Sequence, residues 1–398
     1  MNVTIKPTSL SGVVEAVSSK SDGHRKIICA ALSDSETEII INNISDDIEA
    51  TLSCIKNLGG DFLKTERGIL IKPVSGKKDK VSLDFRESGS TARFILPIAS
   101  VLCEKGEFCG SGRLPQRPFA ELTSQMRKNG VEVSADNLPM ATKGHLKSGI
   151  FELPGNVSSQ YISGLLFALP MLDKESRIKL TSPLMSAPYV DMTLDVLSRC
   201  GVEIEVSENE YVIKPQKCVS PKKLEVEGDW SSAAFWVVAD KICGNVKIEG
   251  MDPNSHQGDR RITEILDQTE IDARDIPDLV PILAVLAASR NGKTRIFGAE
   301  RLRIKESDRL YAVTKCINDL GGMAEETDDG IIICGTGKLL GGCVDSFNDH
   351  RIAMSCAIAS LICEKEVTIL GAECVKKSYP AFFDDFRKLG GALDVSDR

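Results

Sequence analysis

Lys and Arg stand at unusual places in this chain. Lys20 and Arg25 flank the start of an otherwise apolar stretch, KSDGHRKIICAAL; Arg93 follows SGST at the head of another, and Arg351 lies in NDHR at the head of a third. Arg117 in GRLPQRP, Lys305 and Arg309 in RIKESDRL, and Lys377 in CVKKSYP fall in or near segments that read as loops. Cations so placed suit one kind of chemistry, the holding of small, multiply charged anions. A helix start offers unpaired N–H groups and a partial positive charge, and a basic side chain at that end reinforces both. A lone Lys or Arg is ordinarily a solvated surface charge. That reading is weaker for Arg93 and Arg351, because a cation entering an apolar helix needs a partner. The partner is either a ligand or a structural carboxylate such as Glu306 or Asp308. Acid/base candidates stand beside these cations: Asp278 in IPD, Glu306 in IKESDR and His350 in NDHR. A carboxylate among cations stays ionised and can act as a base. Taken singly, Asp229 and Asp278 also suit helix caps.

Composition makes the cations more telling. The chain of 398 residues has a formal charge of −8, with 42% hydrophobic and 27% charged residues. Such a chain has no general basic surface for nucleic acid or anionic lipid, so a basic cluster must be local. The length suits two domains. Thirteen Cys without a CxxC pair suit a reducing compartment, and the four His (24, 145, 256 and 350) show no zinc-ligand spacing. MNVTIKPTSL has no apolar signal-peptide core, and apolar runs such as 353–363 are too short to span a bilayer. The expectation is a cytoplasmic protein without metal. GTGKLL lacks the upstream Gly and the Ser/Thr of a P-loop, GSGRLP lacks the third Gly of a dinucleotide fingerprint, and no GxSxG elbow is present.

The elements that must position these residues form an internal repeat. A polar-faced helix ends in Gly and an alternating apolar segment follows: IKNLGGDF, MRKNGVEV, LSRCGVEI, INDLGGMA and FRKLGGAL, at Gly59, Gly130, Gly201, Gly321 and Gly390. A degenerate copy, ILDQTEID, lies near Gln268, and the successive intervals are 71, 71, 67, 53 and 69 residues. Gly after a helix predicts a left-handed stop, and the alternation predicts a strand. In phase with this runs a second series of almost wholly apolar segments, beginning at Lys20, Ser88, Ser158, Asp229, Ile276 and Asn348. A helix apolar on all sides is a buried one. Six buried and six amphipathic helices with strands between them predict an α/β protein of two pseudo-threefold domains, three units in each.

From KSDGHR to CVKKSYP, in order and over essentially the whole chain, the sequence resembles the 5-enolpyruvylshikimate-3-phosphate synthases, a branch of the enolpyruvyl transferase family. The resemblance implies two inverted α/β domains of three βαβαββ-like units each, joined by two crossovers and closing on substrate. One domain is expected over 20–228, binding shikimate 3-phosphate, and the other over 1–19 with 229–398, the active site lying in the cleft. The implied reaction moves the enolpyruvyl group of phosphoenolpyruvate to the 5-hydroxyl of shikimate 3-phosphate by addition and elimination. No cofactor or metal takes part, and the expected state is a monomer. By family role, Lys20, Ser21, Arg25, Ser158, Ser159, Gln160, Ser186, Tyr189, Asp278 and Lys305 would hold shikimate 3-phosphate. Lys20, Gly89, Arg117, Gln160, Arg309, Arg351 and Lys377 would hold phosphoenolpyruvate. Asp278 would take the 5-hydroxyl proton, and Glu306 with Lys20 would serve the carbon. Two departures bear on this. Glu87 stands where the family often has Asn, which puts a carboxylate near a phosphate site. Arg301-Leu302 replaces Asn-Trp, so Arg301 would either reach the shikimate phosphate or turn away.

Three rival readings are a UDP-N-acetylglucosamine enolpyruvyl transferase, a non-catalytic phosphometabolite-binding protein and an RNA-phosphate-processing enzyme of related repeats. The first typically carries Cys five residues before the loop Arg-Pro, where this chain has Gly112; Cys109 is eight residues before Arg117. Asp278 and Glu306 speak against the second, and the acidic composition speaks against the third.

Overall fold

The computed structural model describes residues 1–396. The chain divides into two compact units, one of Met1–Ser19 with Glu227–Arg398 and one of Lys20–Val226. Backbone bonding fixes the division: Val226 donates to Ile40 O at 2.9 Å, whereas the carbonyl of Glu227 accepts from Ser19 N at 2.8 Å.

In the 20–226 unit, buried and amphipathic helices alternate: α1 (Lys20–Leu32), α2 (Asp46–Leu58), α3 (Gly89–Leu102), α4 (Ala120–Lys128), α5 (Ser159–Ala168) and α6 (Ala187–Arg199). The odd-numbered helices are buried nearly throughout, and their apolar residues form one core with the inner faces of the sheets. There are three four-stranded sheets. In one of them, Lys78–Asp84 and Cys103–Cys109 run parallel across α3, and the hairpin 132–143 adds two antiparallel strands. That is a βαβαββ unit, and the sheet of 150–213 repeats it. The α1 sheet takes its first strand, Lys223–Glu225, from the far end of the unit, parallel to Thr37–Ile40.

The other unit continues with α7 (Trp230–Cys243), α8 (Ile262–Ile265), α9 (Val280–Ala288), α10 (Arg309–Asp319), α11 (His350–Ala359) and α12 (Phe382–Lys388) around a second core. Every residue of α9, VPILAVLAA, is buried. Two of its sheets are complete, and one of these is closed by the N-terminal strand Asn2–Ile5, between Val367–Leu370 and Leu393–Ser396. Among the described residues the third has two strands, Gly12–Glu15 and Val246–Glu249.

The five expected helix stops at Gly59, Gly130, Gly201, Gly321 and Gly390 all carry positive φ. The degenerate sixth copy differs. There α8 is a single turn, and Glu270–Asp272 forms no hairpin but leads the next sheet, parallel to Arg295–Phe297. Without a Gly at the stop, the chain does not reverse.

The two passages between the units meet at one side chain. Gln257 Oε1 accepts from Ser19 Oγ at 3.2 Å and from Trp230 N at 3.0 Å, and its Nε2 donates to Gly228 O at 2.8 Å. No helix among the described residues is long and apolar enough to cross a membrane.

Candidate active site

Polar side chains open the buried helices, and they do two jobs there. Some cap: Ser88 accepts from Thr91 N, Ser158 from Gln160 N, Asp229 from Ser232 N and Asp349 from Arg351 N. Asp229 is thus a cap, as its residue type allows. Asp278 is not; it lies in the 3-10 turn Pro277–Leu279, and its carboxylate serves two arginines.

In the unit with both termini, one network gathers most of the residues expected from that unit. Arg309 is buried at the start of α10 and donates to three carboxylates: Asp278 at 2.8 Å, Glu306 at 2.8 Å and Asp349 at 2.7 Å. Arg351, two residues into α11, binds the other oxygen of Asp278 at 2.8 Å. Ser307 donates to Asp349 at 3.0 Å. Burial opposes the ionisation of Asp278, but the charges of Arg351, Lys305 and Arg309 prevail and hold its pKa well below the carboxylate range. Burial likewise opposes the charge of Arg309, and Asp349, Glu306 and Asp278 overcome it, raising its pKa. Lys377 donates to the carbonyl of Asn348 at 2.7 Å, bringing a further cation beside the N-terminus of α11. That approach is shaped by Phe347 and Asn348, both left-handed at φ 53° and 54°, a conformation that costs a non-glycine residue on the order of 1 kcal/mol. His350 is buried, its Nδ1 3.9 Å from Asp349.

In the 20–226 unit the cations are held differently. Arg93 donates to the carbonyls of Gly89 at 3.3 Å and Pro118 at 3.1 Å, and its guanidinium lies over Phe119 and Tyr161. The partner expected for this buried cation is therefore carbonyl oxygen and aromatic faces; Glu306 pairs with Arg309, and Asp308 caps α10 and binds Arg303. Arg117 approaches the same place: a Cβ on Gly89 would lie 2.7 Å from Arg117 Nη1 and 2.8 Å from Arg93 Nη1. Two guanidinium groups at a helix N-terminus, closed over a residue without a side chain, form a cradle for an anion. Gln160 reaches it through Ser90 Oγ at 3.0 Å.

Arg25 donates to Thr193 Oγ1 at 2.9 Å, Ser21 O at 2.7 Å and Tyr189 O at 2.7 Å, over Phe94. Burial lowers its pKa to about 10. Ser21 and Tyr189 thus meet Arg25 through their carbonyls. Lys20, the first residue of α1, pairs with Asp47 at 2.9 Å. Ser159 is buried. Ser186 precedes α6 in a left-handed conformation, φ 59°.

The two departures acquire positions. The Glu87 carboxylate folds against Gly112, where a Cβ would lie 2.5 Å from its carbon. Arg301 donates to the carbonyl of Arg274 at 2.9 Å. Two carboxylates of these networks escaped the sequence reading: Asp349 and Asp47. Asp349 had a usable signal, a cap-type residue two before the Arg that opens an apolar helix. Among the described residues no group of three or more His, Cys, Asp or Glu side chains is arranged to hold a metal.

Comparison with known proteins bears on the whole chain. The family described as EPSP synthase (3-phosphoshikimate 1-carboxyvinyltransferase) matches residues 5–274 and 263–386. A 3-phosphoshikimate 1-carboxyvinyltransferase of Clostridium acetobutylicum is 43% identical, across 98% of this chain and 97% of its own. One from Clostridium perfringens is 42% identical, across 98% and 99%. The solved structure of an EPSP synthase from Acinetobacter baumannii superposes with a TM-score of 0.81 at 25% identity, covering all of both chains.

Proposed function

The chain belongs to the EPSP synthase family, the 3-phosphoshikimate 1-carboxyvinyltransferases, and on that premise we propose how its residues divide the transfer of an enolpyruvyl group from phosphoenolpyruvate to shikimate 3-phosphate. The observation that carries the division is the network around Arg309, in which two arginines and a carboxylate suited to act as base share their charges.

Phosphoenolpyruvate takes Arg309, Arg351 and Lys377 together with Lys20, Gly89, Arg117 and Gln160. Shikimate 3-phosphate takes Lys20, Ser21, Arg25, Ser158, Ser159, Gln160, Ser186, Tyr189 and Lys305, with Asp278 at its 5-hydroxyl. At rest Asp278 is a weak base, because two guanidinium groups neutralise it. An incoming phosphate or carboxylate competes for the same N–H groups. Each contact transferred from Asp278 to the ligand raises the basicity of Asp278 when the donor substrate is in place.

Asp278 then accepts the proton of the 5-hydroxyl as its oxygen bonds to the enol carbon. Glu306, working with Lys20, whose ammonium supplies the proton, delivers it to the methylene, giving a methyl group and a tetrahedral intermediate. In the second half Glu306 takes a proton back from that methyl and passes it to Lys20, the C–O bond to phosphate breaks, and Asp278 gives its proton to the departing phosphate. Cations fixed in advance bring two anionic substrates together and stabilise the charge that develops. The protein acts as a monomer in the cytoplasm on this reading.

The UDP-sugar alternative is disfavoured at Gly112, since a cysteine there would meet the Glu87 carboxylate. The test is phosphate release from phosphoenolpyruvate. Release with shikimate 3-phosphate and none with UDP-N-acetylglucosamine is expected; the reverse overturns the reading. Glu306→Gln should retain both substrates and lose about 10²–10⁴-fold in kcat. Turnover at the parental rate would remove Glu306 from its role.

A further inference from the structure

Asp259 lies behind the network just described and is absent from the roles assigned above. It sits in the 3-10 turn Gly258–Arg261 and is 2% exposed. One carboxylate oxygen accepts from Ser231 Oγ at the start of α7. The other, Oδ1, is fully buried and has no hydrogen-bond partner. Among the described residues no cation forms an ion pair with this carboxylate: Arg260 on the same turn reaches out to Glu264 of α8 at 3.4 Å. The charges that face Asp259 come from three other elements. They are Asp229 at the N-cap of α7, Asp278 on the turn Pro277–Leu279, and Arg351 on α11. Two of the three repel a negative charge, and the third is already engaged by Asp278 at 2.8 Å.

A buried carboxylate with a single neutral donor and no cation is poorly stabilised in its ionised form. Protonated, it loses most of that penalty, and its hydroxyl becomes a donor. We propose that Asp259 is a positioning residue that works as the neutral acid, leaving the charge of Arg351 to the anionic substrate and to Asp278. The inference rests on the reading of Arg351 and Asp278 given above. Burial first, and Asp278 second, push the Asp259 pKa up to about 7, with Arg351 and Ser231 opposing them. Its ionisation therefore falls near neutral pH. Below that pH, Asp259 is neutral and Arg351 keeps its pairing with Asp278. Above it, Asp259 adds a negative charge facing Arg351, and the attraction of Arg351 for phosphoenolpyruvate weakens. By linkage, phosphoenolpyruvate that draws on Arg351 favours the protonated form of Asp259, so binding takes up a proton in that range.

The test compares the whole enzyme with Asp259→Asn, which stays neutral at every pH and keeps an acceptor for Ser231. KM for phosphoenolpyruvate is measured from pH 5.5 to 9, and proton uptake on binding by calorimetry in buffers of different ionisation enthalpy. The parent should show KM rising about tenfold through neutral pH beyond the titration of the substrate itself. Asp259→Asn should lack that rise and take up fewer protons. Ser231→Ala, which removes the one donor to the carboxylate, should move the rise to higher pH; it serves even if Asp259→Asn folds poorly. Superimposable pH profiles of parent and Asp259→Asn, or a rise left in place by Ser231→Ala, overturn the inference. A parent that releases no phosphate with shikimate 3-phosphate would instead overturn the underlying reading.

Discussion

The two units hold their buried arginines in opposite ways. In the 20–226 unit, the groups that bond Arg25 are uncharged, a hydroxyl, two carbonyls and a ring, and burial lowers its pKa against the charge of nearby Asp22. In the other unit, Arg309 is surrounded by three carboxylates, and its pKa rises. Dipoles orient a guanidinium and leave its net charge in place. Carboxylates cancel that charge until something displaces them. The first arrangement suits a standing electrostatic attraction for an anion. The second suits a switch, in which ligand binding returns a carboxylate to use as a base. The same side chain thus serves attraction or gating according to what lies around it.

Four changes would break or sharpen this contrast. The largest effect is expected from Asp349→Ala, which leaves the charge of Arg309 short of its fully buried partner; a loss of about 3–5 kcal/mol should appear in the denaturant midpoint. A loss below about 1 kcal/mol would mean that the carboxylates do not carry the network.

Asp278→Asn should cost about 2 kcal/mol at pH 7, less than Asp349→Ala because the side chain is partly exposed and Asn still accepts hydrogen bonds. The sign with pH follows from the lowered pKa of Asp278 in the fold. Its stabilisation is complete above the ordinary carboxylate range and is lost as pH falls toward the folded value. The gap between parent and variant should therefore narrow as urea titrations are taken below about pH 4. A gap constant from pH 7 to pH 3 would contradict the ion-pair account.

Thr193→Val removes the one side-chain acceptor of Arg25, and about 1.5 kcal/mol is expected. That loss should be insensitive to acid, in contrast to the previous variant. Smallest is Gly89→Ala. The added methyl meets two guanidinium groups, so KM for phosphoenolpyruvate should rise about tenfold, near 1.4 kcal/mol, with kcat changed less. An unchanged KM would show that Arg93 and Arg117 do not grip the ligand over this residue.

Much of this was legible in the residues. The repeat, the buried helices and the cations at their heads follow from periodicity and from the stops at Gly59, Gly130, Gly201, Gly321 and Gly390. The strands that complete sheets from a distance, Asn2–Ile5 and Lys223–Glu225, were not legible, because pairing partners hundreds of residues apart leave no local pattern. The same holds for the site. Arg309 and Asp278 announce themselves by residue type, whereas Asp259 is an ordinary loop carboxylate until burial removes its water. Arg93 shows the converse: its sequence asks for a partner, and the fold answers with carbonyls and rings.

The meeting of both inter-unit passages at Gln257 has a consequence for the chain as an object. Ser19 and Glu227 are joined by a backbone hydrogen bond, so the whole 20–226 unit leaves and re-enters its neighbour at a single point. Topologically it is an insertion, a guest spliced into a host whose own strands already close around the N-terminus. A short loop from Ser19 to Glu227 would leave the host's sheets and their strand order intact. New chain ends opened within the guest would interrupt none of them either.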